Sequence, residues 1–212
     1  MQNTEDLLDA AHCVIRGGFS REDLQGVVRV HRSELTQGFL SSLGDGALRV
    51  LFEHAASSRF SVLLVVKHTE SREVVGFLLG TTDTGAFYKD FLRRYSLKAL
   101  VVVGPKLFSL RRLLGVVETL LYPSRKEVQD LPAAELLDVA VAKSRQGTGL
   151  GRALFREFCT IFRERGLSAF KITTGESLPQ AQRFYERLGA KKVSTLEVHK
   201  GQKTFVYIYD IP

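Results

Sequence analysis

At 212 residues the chain is long enough to bury one sizeable core, and 44% hydrophobic with 25% charged residues excludes disordered and fibrous classes. A net charge of +7 comes without a helix-turn-helix, zinc-ligand or RNA-recognition pattern, so nucleic acid is not an expected partner. The opening residues 1–6 are acidic where a signal peptide would be basic and then apolar, and the two cysteines, Cys13 and Cys159, lack metal-pair spacing; a cytoplasmic location, reduced thiols and no bound metal are expected.

His12 to Arg16 reads as a first strand. Ser20-Arg-Glu-Asp23 is a helix-capping signal before Leu24 to Ser33, and a second helical region follows through Phe39 to Ala56. The β-rich runs Ser61 to Val66 and Val74 to Gly80 flank the polar turn His68 to Arg72 and read as a hairpin. No period indicates a repeat and no low-complexity linker divides the chain, so residues 1–212 read as one domain.

The segment from Phe87 to about Lys126 is too long for an ordinary connection and reads as a helical insertion. From Tyr88 to Arg112 it carries Lys89, Arg93, Arg94, Lys98, Lys106, Arg111 and Arg112 against the single acid Asp90. Pro105, Lys106 and the Arg111-Arg112 pair interrupt its apolar runs well short of the roughly 20 residues a membrane span needs. Three readings stay open: an apolar face packed on the core or on a second subunit of a homodimer, an electropositive wall for an anionic acceptor, and a weak membrane-surface contact.

Val139-Ala-Val-Ala-Lys-Ser-Arg-Gln-Gly-Thr-Gly-Leu-Gly-Arg-Ala-Leu154 follows, where a strand breaks into a glycine-rich loop that opens directly into an amphipathic helix. Such a loop lets backbone N–H groups converge on an anion at the positive end of a helix. The P-loop pattern is absent. The dinucleotide pattern fails too, because the glycines run G-x-G-x-G and Lys171 occupies the region where an acidic ribose partner would sit. The helix from Leu150 to Arg165 sets Leu150, Leu154, Phe158, Ile161 and Phe162 on one face and ends at Gly166. Ala169 to Thr174 is a short strand, Ala181 to Gly189 a helix, and Lys191 to Val198 with Thr204 to Tyr209 a terminal hairpin around Gly201.

The pattern Q-x-x-G-x-G at Gln146, Gly149 and Gly151 resembles the acyl-CoA pyrophosphate loop of the GNAT superfamily of N-acetyltransferases. The strand Ala134 to Val141 before it, and Ala181-Gln-Arg-Phe-Tyr-Glu-Arg-Leu-Gly189 after it, stand in that family's order and spacing. The resemblance implies an α/β fold with a mixed, mostly antiparallel central sheet of about seven strands, flanked by helices and here enlarged by the insertion before the cofactor-binding strand. It also implies acetyl-CoA as acyl donor, held by Val139, Ala140, Val141, Gln146, Gly147, Thr148, Gly149, Leu150, Gly151 and Arg152.

Transfer to an amine needs a proton acceptor for the amine, a donor for the developing oxyanion and a proton for the leaving thiolate. The resemblance assigns the oxyanion donor to a backbone N–H among Val139 to Val141, the thiol's proton to Tyr185 and the base to Glu135. Strand alternation places Glu135 with Leu137, Val139 and Val141, and Asp138 with Leu136 and Ala140, on opposite faces. One acid can then face the acceptor, with Glu135 favoured and Asp138 or water as alternatives. His31 and Glu34 border the acceptor site by the same resemblance. Lys143, Leu178 and Ala190 depart from the family's proline, asparagine and phenylalanine. The first-choice acceptor is the primary amine of a small anionic metabolite such as an amino-sugar. Its alternatives are a protein lysine or N-terminus, or no reaction at all in an acyl-CoA-binding module that recruits a partner.

Overall fold

Ser20 starts the first helix as the sequence requires. Its Oγ accepts the N–H of Asp23 at 3.1 Å, and Asp23 Oδ2 accepts the N–H of Ser20 at 2.9 Å, two otherwise orphaned donors satisfied reciprocally. Ser20→Ala is expected to lower stability by about 1 kcal/mol, read as a shifted urea midpoint at constant slope. An unmoved midpoint would show that the box contributes nothing.

The computed structural model describes residues 12–35, 44–103, 131–199 and 202–212. Its elements are β1 (His12–Ile15), α1 (Arg21–Glu34), α2 (Asp45–Ser57), β2 (Ser61–His68), β3 (Val74–Thr81), α3 (Thr84–Val103), β4 (Glu135–Val141), a 3₁₀ turn (Lys143–Arg145), α4 (Leu150–Glu164), β5 (Ala169–Gly175), α5 (Pro179–Leu188), β6 (Lys191–His199) and β7 (Gln202–Asp210). They build a seven-stranded sheet in the order β1-β2-β3-β4-β5-β7-β6, antiparallel except where β4 meets β5. The start of the second predicted helix (39–43), most of the predicted insertion (104–126) and the Gly201 turn lie outside the described residues.

Strands β2 and β3 are buried along nearly their whole length because both faces of the sheet are covered. Leu63, Val65, Phe77 and Leu79 pack with Val27 of α1, Leu48 and Phe52 of α2 and Phe87 of α3. Val62, Leu64, Val66 and Leu78 face the other way, onto Leu154, Phe158 and Phe162 of α4. The aromatic layer needs a gap in the strand. A Cβ on Gly80 would lie 2.3 Å from the Phe158 ring, so the glycine lets that ring rest against the backbone.

Two irregularities in β4 create the functional region. Asp138 pairs with Leu79 while Leu136 pairs with Gly80, so Leu137 is an extra residue, a β-bulge. The bulge overturns the strict alternation expected from the sequence: Glu135 meets Thr84 of α3 and Asp138 meets His31 of α1, so both acids face the side covered by α1–α3. The second irregularity is a splay. β4 and β5 pair only through Glu135 with Lys171 and Leu136 with Ile172, and then they part.

Candidate active site

The splay opens a cleft of about 750 Å³ between the second half of β4, the loop before α4 and the helix α5. Ala142 N–H donates to Val75 of β3 at 2.8 Å. By the two-residue alternation of an antiparallel ladder, the N–H groups of Val139 and Val141 then point away from β3, toward the gap that β5 has left. A carbonyl oxygen in the gap would find a backbone donor there.

The loop supplies the second part. Gly147 (φ 78°) and Gly149 (φ 92°) hold left-handed backbone, which a side chain would strain, and a Cβ built on either meets no protein atom within 4 Å. Gly149 caps α4 without any side-chain bond, and the first turn holds no acidic residue. The orphaned N–H groups at that end therefore face open space beside Arg145 and Arg152, both of which line the cleft. This is a cradle for an anion.

The loop is braced from outside. Gln146 Nε2 donates to Val141 O at 3.0 Å and to Glu34 Oε2 at 3.0 Å, while Glu34 Oε1 accepts the Lys143 N–H at 3.1 Å. Thr148 Oγ1 donates to Arg145 O at 2.7 Å. Gln146 thus ties the loop to β4 and to the end of α1. Of the residues expected to hold the donor, all but Thr148 line the cleft, together with Tyr185 and Glu34. The sequence reading did not single out Arg145, Phe184 or Arg187, which line it as well; the legible signal for Arg145 is a cation directly before an anion loop.

Tyr185 lies on the inner side of α5, 6% exposed, with its ring 5.4 Å from that of Phe184. Burial, and next the nearby Asp138 carboxylate, push its phenol well above the ordinary tyrosine value, so it keeps its proton through the neutral range. Tyr88 of α3 is pushed the same way, by burial and then by Glu135 and Asp138.

The two acids of β4 are placed differently. Glu135, expected to face the acceptor, is 2% exposed and does not line the cleft. Its Oε2 accepts from Thr84 Oγ1 at 2.9 Å and its Oε1 from Thr173 Oγ1 at 2.9 Å; Lys171 Nζ, 3.6 Å away, donates to Pro132 O at 2.6 Å. Both oxygens of Glu135 are engaged. Asp138 Oδ2 lies 3.2 Å from His31 Nε2, and its side chain is 14% exposed. Cys159 is an inert thiol among the aromatics of α4, pushed up to about 12 by burial. No described helix is long and apolar enough to cross a membrane.

Comparison with known structures places this arrangement. The chain superposes on a GNAT-family protein from Desulfovibrio desulfuricans with a TM-score of 0.62, at 18% identity over 95% of this chain and 100% of that one. It superposes on SsHAT with a TM-score of 0.62, at 21% identity over 95% and 99% of the two chains. For Ard1 from Thermoplasma volcanium the TM-score is 0.59, at 17% identity over 96% and 99%. These likenesses establish the fold. A search of curated proteins finds no significant match. Residues 29–190 match the model of the Acetyltransferase (GNAT) family, and with that span covering most of its length the chain belongs to this family of acetyl-transferring enzymes.

Proposed function

We propose that the cleft takes acetyl-CoA, that the acetyl group passes to a primary amine, and that the whole chain works as one catalytic domain. The observation that carries this is the loop: two left-handed glycines whose missing side chains leave open space at an uncapped, acid-free helix N-terminus. A pyrophosphate fits such a cradle by charge and by the space left free. When bound, acetyl-CoA supplies a thioester whose carbonyl carbon is the electrophile and whose sulfur leaves.

The chain's own groups do the rest. The Val139 and Val141 amides offer fixed donors to an oxyanion, and a preorganised dipole costs no reorganisation during the reaction. Tyr185, kept protonated by burial and by Asp138, holds a proton for the sulfur. For the acceptor, a small anionic amine is favoured by the basic excess of residues 88–112, of which Arg94 is already paired with Asp90 at 2.9 Å. A peptide amine is the second reading, favoured by the acid Glu34 that lines the cleft, which suits an ammonium that carries no anionic group of its own.

The test is calorimetry with acetyl-CoA, followed by thiol release from the wild type and from Tyr185→Phe, with an amino-sugar phosphate and a short lysine peptide as amines. Tyr185→Phe is expected to lower kcat on the order of 100-fold while leaving the Kd for acetyl-CoA unchanged. Equal kcat in the two proteins removes the tyrosine from the mechanism. Binding without turnover of any amine identifies a silent acyl-CoA module instead.

A further inference from the structure

We propose that Glu34 is a positioning residue for the acyl donor, its carboxylate holding the 3₁₀ turn and the glycine loop in the shape that receives the pyrophosphate, an inference that rests on the acetyl-transfer reading above. An acid in this place is disfavoured twice. Glu34 is the last residue of α1, at the negative end of that helix, and it lines the cleft beside the anion cradle, where it repels the donor it borders. Neither charge effect explains a carboxylate here. Its bonds do.

The two oxygens grip the turn at its ends. Oε1 accepts the backbone N–H of Lys143, which opens the turn, at 3.1 Å, and Oε2 accepts from Nε2 of Gln146, which closes it, at 3.0 Å. Gln146 Nε2 also donates to Val141 O at 3.0 Å. Both of these partners are acceptors, so the amide must present its NH₂ group to them. Ser33 Oγ, one residue back on the helix, approaches Oε1 at 3.1 Å. Helix end, strand end and loop thus meet on one carboxylate. Between the gripped residues sits Arg145, which lines the cleft, and directly after them come the left-handed Gly147 and Gly149. Glycines leave a loop many shapes to choose from. A loop held in one shape beforehand relieves the donor of the entropy of ordering it.

The Lys143 N–H offers a clean way to open the grip. Proline, which the family's pattern carries at this place, has no N–H to give. It also fits the backbone, because Ala142 has ψ 136°, within the range allowed before proline, and residue 143 is the first of its turn. Lys143→Pro therefore removes one donor and keeps the fold.

The experiment is calorimetry of acetyl-CoA on the full chain without any amine, so that no acceptor role of Glu34 enters, with a thermal melt of each variant. Glu34→Ala should weaken the Kd about tenfold, the worth of one charge-assisted bond, whereas loss of a merely repelling charge would tighten it. The direction of the change separates the two. Glu34→Gln loses the same charge but keeps an acceptor for the Lys143 N–H, so it should recover part of the affinity. Lys143→Pro should bind about threefold less tightly than Lys143→Ala, since both lose the ammonium and proline alone loses the N–H. With Glu34→Ala already present, that difference between proline and alanine should vanish, because the grip is open in both. Should Glu34→Ala fold poorly, the Lys143 pair decides alone. Glu34→Ala binding acetyl-CoA as tightly as wild type, or more tightly, overturns the proposal and leaves acetyl transfer standing. Equal binding by Lys143→Pro and Lys143→Ala overturns it as well. A wild type that binds no acetyl-CoA ends both readings together.

Discussion

Replacing Glu135 with leucine is expected to lower folding stability by about 3–5 kcal/mol, the usual result of removing one partner from a buried ion pair. The reason lies in what stays behind. Lys171 is 2% exposed, and without Glu135 its ammonium keeps, among the described residues, only the carbonyl of Pro132, while Thr173 loses its acceptor and Thr84 is left with the carbonyl of Ala133. Denaturant unfolding reads the loss as a lower midpoint at constant slope. Lys171→Met added to Glu135→Leu should restore most of the stability, since a pair replaced by apolar side chains of similar volume is often neutral. A loss below about 1 kcal/mol in the single variant would mean that the pair is solvated and that the bland structural role given to Glu135 is wrong.

The second large effect is on the donor site. Gly149→Val should weaken acetyl-CoA binding by about two orders of magnitude, because the side chain would occupy the cradle and disrupt one or two charge-assisted bonds worth about 1.5–3 kcal/mol each. It also forces a branched residue into left-handed backbone at φ 92°, at roughly 1–2 kcal/mol of stability. Gly166 separates the two contributions. It has φ 77°, equally open surroundings and no place in the cleft. Gly166→Val should match the stability loss in a thermal melt and leave the calorimetric Kd untouched. Equal Kd values for wild type and Gly149→Val would remove the loop from donor binding.

Much of this was legible in the sequence, for local reasons. The Ser20 to Asp23 box, the apolar face of α4 and the glycines at 147 and 149 declare themselves through contacts within a few residues. The bulge in β4 did not. It depends on the register between β3 and β4, partners separated by more than fifty residues, and a single extra residue moved Asp138 to the face expected for Glu135 alone. His31 left a readable trace, a polar residue four positions after Val27 on the buried stripe of α1. Its partner was not readable, because helix and strand meet only in the folded molecule. The basic excess of residues 88–112 identified charge without identifying what it faces.

The two-pair contact between β4 and β5 also bears on how the molecule assembles. All of β1 to β4 precede all of β5 to β7 in the chain, and no strand of one set is inserted in the other. Each set pairs internally, the first through β1 on β2, the β2–β3 hairpin and the return of β4, the second through β7 between β5 and β6. A chain emerging from the ribosome can therefore complete the first set, with its glycine loop and strand amides, before Tyr185 has been made. Strand pairing between the sets is limited to one short parallel seam of distant residues, backed by a shared core in which Leu64 and Leu78 cluster with Phe170 and Ile172, contacts whose loop-closure entropy comes due before their reward. The cleft is thus a property of the junction: neither set contains both the glycine loop and Tyr185, and the two come to line one cavity only when the seam closes.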